Sequence, residues 1–158
     1  MERNAAARAS RAPDLRRLAV GSGWALLATV AVSVLMLAAT ATGISPMPQP
    51  IPAALVSHTL GAAPQPGVLA LAVAAHLAYG AAAGAVLAGL VPRAGVWTGA
   101  AYGVLLWVLM GLVWLPYLGW GLFGTGVTPK IAVATLVLHL VYGITLGLLL
   151  GRTKRTVR

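Results

Sequence analysis

IAVATLVLHLVYGITLGLLLGRTKR, residues 131–155, decides how the rest of the chain is read. From Ile131 to Leu150 no side chain carries a charge, and Arg152, Lys154 and Arg155 follow at once. Twenty residues of helix at about 1.5 Å each cover the roughly 30 Å of hydrocarbon in a bilayer. An uncharged run of that length ending in a basic cluster is the pattern of a membrane span. Inside it lie His139, Tyr142, Gly143 and Gly147, which a plain hydrocarbon anchor has no need of.

Three more runs of this kind lie upstream: 18–42, 68–91 and 96–115. The composition agrees, with 59% hydrophobic residues, 8% charged and a mean hydropathy of +0.90. Soluble domains carry about a quarter charged residues, so this chain lacks the polar surface to coat a water-soluble globule. The expected fold is all-α: a four-span transmembrane helical bundle at 18–151, between basic tails at 1–17 and 152–158. The turn between the second and third spans is short, which predicts that those two helices are antiparallel neighbours.

The charges set an orientation. Arg3, Arg8, Arg11, Arg16, Arg17, Arg93, Arg152, Lys154, Arg155 and Arg158 fall on one side of the bundle, and Lys130 falls on the other. By the positive-inside rule both termini are expected in the cytoplasm, in a cell (inner) membrane, with the basic ends touching anionic headgroups. Trp24 and Trp97 would then mark the inner interface, and Trp114, Tyr117 and Trp120 the outer one. A cleaved signal peptide is the competing reading of the first span, because Ala39-Thr40-Ala41 resembles a cleavage site. Its apolar run far exceeds the roughly 7–15 residues of a signal sequence, so a retained anchor is expected.

Several function classes are excluded or disfavoured. The chain has no cysteine, and its two acids, Glu2 and Asp14, both lie in the N-terminal tail. A Ser-His-Asp triad cannot be assembled within the membrane, nor can a carboxylate-based proton relay or cation site. No catalytic residues, metal ligands or enzymatic activity are expected. The net charge of +9 follows span ends rather than a groove interleaved with stacking aromatics, so no nucleic acid is expected.

The outer loops differ. In 43–67, SPMPQPIP places proline at every second position from Pro46 to Pro52, which predicts an extended, stiff segment. The apolar 53–63 stretch after it is too short to cross, and either lies flat at the interface or folds back on the bundle. The loop at 116–130 is read as a plain connection. His58 is read as an exposed or interfacial residue.

An internal repeat emerges when His76 is aligned with His139. At this offset Pro66 meets Pro129, Tyr79 meets Tyr142, Gly80 meets Gly143 and Gly84 meets Gly147. The second and fourth spans are expected to be copies, giving two helical hairpins in parallel orientation. The first and third spans show no comparable match. Residues at i, i+3, i+4, i+7 and i+8 share a helix face. His76, Tyr79, Gly80 and Gly84 therefore form one stripe, and His139, Tyr142, Gly143 and Gly147 a second. Gly99 and Gly103 repeat the small-xxx-small spacing on the third span, next to Tyr102; such spacing lets helix backbones approach closely.

The hairpin carrying GAAYGVLLW and HLVYGITLGLLLG resembles the YagU-like group of small four-span inner-membrane proteins. The resemblance covers about residues 95–151 and the first half only loosely. It implies architecture and location, and no chemistry.

Three readings of the histidines follow. In the first, His76 and His139 are neutral packing residues, hydrogen-bonded to Tyr79, Tyr142, a backbone carbonyl or Thr135. The protein is then a structural or partner-binding membrane component, paired with its own copies or with another membrane protein. In the second, His76, Tyr79, His139 and Tyr142 line a path for a proton or small solute. In the third, His76 and His139 are the axial ligands of a b-type haem. The first is preferred, with no cofactor bound.

Overall fold

The computed structural model describes residues 15–61 and 64–153. The expected basic tails lie largely outside these, with Arg3, Arg8, Arg11, Lys154, Arg155 and Arg158 among the residues not described. The described residues form five longer helices, α1 (Leu15–Ala41), α2 (Ile51–Leu60), α3 (Gln65–Leu90), α4 (Val96–Tyr117) and α5 (Lys130–Thr153), and a single 3-10 turn at Leu122–Gly124. All but α2 are long and apolar enough to cross a membrane. Their outward faces are apolar as well, with Leu27, Val34, Leu71, Val73, Leu105 and Val133 all exposed. A surface of that kind is stable against hydrocarbon and not against water. The chain is a multi-pass membrane protein.

Local sequence sets the helix ends. Pro50 and Pro64 stand immediately before α2 and α3, and each helix carries a second proline in its first turn. Proline is tolerated there because the first N–H groups have no intrahelical partner. The stretch expected to be extended through Pro52 is therefore helical from Ile51 onward. Gly61, at φ 70°, ends α2 in a conformation open to glycine. Helix α3 stops where Pro92 follows Val91.

Each long helix has one close partner. Helix α1 packs along α3, and α4 along α5, while a lesser face joins α1 to α5. Both close contacts run over small residues. A Cβ placed on Gly143 would collide with the backbone of Gly99 and Gly103, and one on Gly147 with Gly95 and Gly99. In the other hairpin, Gly84 lies against Gly21 and Ala25, and Gly80 against the Thr29 side chain. The glycine stripes thus serve backbone contact, as their spacing predicts.

These contacts reveal a match between the first and third spans that the residues hide. Since Gly84 corresponds to Gly147 and Gly80 to Gly143, Gly21, Ala25 and Thr29 correspond to Gly95, Gly99 and Gly103. Each pair is 74 positions apart, against 63 for the second and fourth spans. The 11-residue difference is close to the ten-residue length of α2, which belongs to the first hairpin alone.

The short turn between the second and third spans brings less contact than a tight hairpin would. Helices α3 and α4 follow each other through a short turn but share no extended face among the described residues. Glycine contacts pull α3 onto α1 and α4 onto α5, and the turn only ties their ends. The bundle is a ring in which three neighbouring pairs share close backbone faces, while α3 and α4 stand further apart and meet through side chains such as Tyr102.

The buried side chains form two separate cores. One, toward the chain termini, gathers Ala25, Leu87, Leu106, Leu146 and Leu150. The other, toward the loops, gathers Met47, Ile51, Ala54, Met110, Leu115 and Ile131. The 53–63 stretch thus folds back onto the bundle as α2, packed on α3, with Ile51 and Ala54 buried; residues 62–63 lie outside the description. The connection after α4 is also more than a plain link. Phe123 seats against Gly111 and against the Trp107 ring, 4.5 Å between centroids, and Leu118 is buried.

Candidate functional site

Between the two cores the bundle leaves a cavity of about 290 Å³. It lies where α3 and α4 part, and both predicted histidines line it together with Tyr79, Tyr142 and Thr135. The backbone spacing that makes the hairpins rigid also makes this gap. Two pairs of helices held at glycine distance cannot also close against each other along every side.

At the end of the cavity toward the termini two tyrosine hydroxyls tie the hairpins together, Tyr142 from the lining and Tyr102 from outside it. The Tyr142 hydroxyl donates to the Gly80 carbonyl at 2.6 Å, and the Tyr102 hydroxyl donates to the Ala83 carbonyl at 2.7 Å. Both bonds reach from the second hairpin to α3, so they are polar cross-links between the repeats. Beneath them the apolar core of Leu87, Leu146 and Leu150 continues. No lining residue lies further toward the termini than Thr29, Ala83, Leu106 and Tyr142.

The opposite end is roofed by α2, which contributes Ile51, Pro52, Leu55 and Val56 to the lining. Its C-terminal turn is fastened to the end of α4: Thr59 Oγ1 lies 3.2 Å from the Tyr117 hydroxyl. His58, exposed as expected, stands edge-on to the same Tyr117 ring with centroids 4.8 Å apart. Helix α4 widens from α- to π-type winding over Met110–Trp114, and both end residues of that segment face the cavity. Such widened turns recur at functional sites.

Of the lining residues only Ala75 and Tyr79 are exposed, and both sit on α3. They lie near the middle of that helix, about 15 Å (Ala75) and about 21 Å (Tyr79) along it from its start. The mouth therefore opens sideways, at mid-bundle depth, toward whatever surrounds the helices.

The two histidines are not equivalent. His139 Nδ1 lies 2.8 Å from the Thr135 carbonyl one turn back, a partner the sequence offered. A carbonyl only accepts, so Nδ1 carries the proton and Nε2 keeps the free lone pair of the neutral ring. His76 Nε2 is buried and has no hydrogen-bond partner, the one such side-chain atom among the described residues. Burying an imidazole nitrogen unpaired costs about 1–3 kcal/mol. Both rings line the same cavity. Neither bonds to Tyr79 or Tyr142: the Tyr142 hydroxyl is taken by Gly80, and Tyr79, 39% exposed, stands beside Trp114 at the mouth.

Sequence reasoning brought together His76, Tyr79, His139, Tyr142 and Thr135. It missed Thr29, Met110, Trp114 and the α2 residues, and it gave no hint of a cavity. Thr29 had a usable signal, since Gly21, Ala25 and Thr29 recur every fourth residue. Thr135 contributes its carbonyl to His139, while its hydroxyl donates to the Ile131 carbonyl at 2.7 Å. Among the described residues no group of three or more His, Cys, Asp or Glu could hold a metal ion. No family model, curated protein or solved structure matches this chain.

Proposed function

We propose that this membrane protein binds a lipophilic small molecule in the cavity between its hairpins, taken up sideways from the bilayer, with His76 as the polar contact. The observation that carries this reading is His76, which lines a cavity of about 290 Å³ and whose Nε2 is buried without a partner in the protein. Packing histidines find partners within the protein, as His139 does. A nitrogen left unpaired beside a cavity is the arrangement expected of a binding group.

The other readings have less support. A proton or solute path needs polar groups on both sides of the histidines, and beyond the two tyrosines the core is apolar. A haem would bring two propionates, and no Lys or Arg lines the cavity. Among the described residues, partner binding is supported by no surface distinct from the lipid-facing exterior. We further propose that both termini are cytoplasmic, on the ten-to-one split of basic residues. A reporter fused after Arg158 should then be active only inside the cell, and an external signal would reverse the assignment.

Purified protein extracted with organic solvent tests the binding reading. A lipophilic compound should be recovered in near-stoichiometric amount from the wild type. It should fall several-fold in His76→Phe, and also in Ala75→Phe, which blocks the mouth from an exposed position. Identical extracts from all three proteins would overturn the reading.

A further inference from the structure

On the binding reading above, the chemistry of the cavity narrows its ligand. No charged side chain lines it. A carboxylate, phosphate or ammonium group would be buried there unpaired, at a cost of several kcal/mol. Fatty acids and phospholipid headgroups are poor occupants for that reason. The ligand's head is uncharged.

Five aromatic rings surround the space: His76, Tyr79, Trp114, His139 and Tyr142. Its volume of about 290 Å³ lies at the small end of ligand pockets, which run to roughly 300–1,000 Å³. That is room for one ring and not for a whole lipid. Aromatic walls favour a flat ring, which stacks offset or edge-on against them. The mouth at mid-bundle depth leaves an attached hydrocarbon tail among the lipid chains.

The hydrogen-bonding demand is specific as well. With its Nδ1–H held by the Thr135 carbonyl, His139 presents Nε2 as an acceptor, so the head must carry a donor. His76 Nε2 has no partner within the protein and is a donor or an acceptor according to tautomer, so a second oxygen on the ligand would suit it in either state. A ring with two oxygens, at least one of them a hydroxyl, meets both demands.

We propose that the ligand is a hydroquinone carrying a hydrocarbon tail. Its ring lies among the cavity aromatics, one hydroxyl donates to His139 Nε2, and the other oxygen meets His76 Nε2. The tail leaves between α3 and α4. The oxidised quinone has only acceptor oxygens and leaves His139 Nε2 unmatched, so the reduced form binds more tightly.

Calorimetric titration of the full chain in lipid nanodiscs tests this with four probes: a short-chain prenyl hydroquinone kept reduced, its quinone, its dimethyl ether, and a prenyl alcohol with the same tail. The hydroquinone should bind tightest, the quinone about tenfold more weakly, and the dimethyl ether more weakly still, since each loses a hydrogen bond to a buried nitrogen. His76→Phe and His139→Phe should each weaken hydroquinone binding about tenfold. Should His139→Phe fail to fold, the comparison of hydroquinone with its ether on the wild type still decides. Equal binding of hydroquinone and ether, or tighter binding of the alcohol, overturns the ring-and-hydroxyl assignment and leaves a lipophile site standing. If no probe binds but solvent extraction yields another lipophile, the ligand class alone is wrong. If no probe binds and extraction yields nothing, the binding reading falls with it.

Discussion

The two hairpins make the same contact from different residues. In the second, glycine meets glycine: Gly99 and Gly103 against Gly143 and Gly147, backbone on backbone. In the first, Gly80 and Gly84 meet Gly21, Ala25 and Thr29. The close approach survives because each side chain on α1 faces a glycine on α3. A Thr29 hydroxyl bonded to the Ala25 carbonyl at 2.8 Å satisfies its own polarity within α1. Close packing in a membrane therefore needs a bare backbone on one helix only. Where both helices are bare there is no slack, and where one carries side chains there is some.

The sharpest test of that difference is alanine at matched glycines. Gly143→Ala places a methyl group against the backbone of Gly99 and Gly103, which cannot be trimmed. It should destabilise by about 3 kcal/mol, the upper end of overpacking costs. Gly80→Ala meets only the Thr29 side chain, and should cost about half as much. Adding Thr29→Gly should recover most of the second loss, whereas no truncation of a facing side chain should recover the first. Thermal melting in detergent measures both, and equal losses with equal rescue would abolish the distinction.

A second comparison concerns what joins the hairpins. Tyr142→Phe removes the 2.6 Å bond to the Gly80 carbonyl while keeping the ring. A loss of about 1 kcal/mol is expected, as for other interhelical hydrogen bonds in membranes. Tyr102→Phe removes the neighbouring bond to Ala83. If the two hydrogen bonds reinforce each other, the double variant should lose less than the sum of the single ones, because each single change already forfeits the coupling.

The smallest effect carries the most information about the site, because its sign differs between the repeats. His139→Leu gives up a hydrogen bond to Thr135 and should lower stability by about 0.6 kcal/mol. His76→Leu removes a buried nitrogen that has no partner and should leave ligand-free protein as stable as before, or more so. Equal destabilisation by both would mean that His76 is held by the protein, and the case for a binding group would be lost.

Much of this architecture could be read from the chain, for a physical reason. Bilayer thickness fixes span length, so runs of uncharged residues located α1, α3, α4 and α5 to within a few positions. The i−4 spacing of Thr135 and His139 made their bond legible, since it depends on helix geometry alone. The match of α1 with α4 was hidden because Ala25 and Thr29 occupy places where the copy has glycine. The cavity was hidden for a different reason. A short turn suggests adjacent helices, but it constrains only their ends. Whether the rest of α3 and α4 touch depends on where each finds its closest partner, and that is a property of all four helices together.

The parted α3–α4 face has a consequence for how the molecule can be assembled. Most of the close backbone contact lies within a hairpin, and the polypeptide link between hairpins is the 91–95 turn. Cutting the chain there would sever a tether and leave both tight interfaces whole. Two fragments, one ending before Pro92 and one beginning after it, can each enter the bilayer as a ready-made pair of helices. They can then find each other in the plane of the membrane through the α1–α5 face and the Tyr102 and Tyr142 hydroxyls. The protein is in that sense a dimer of unlike halves written as one gene product.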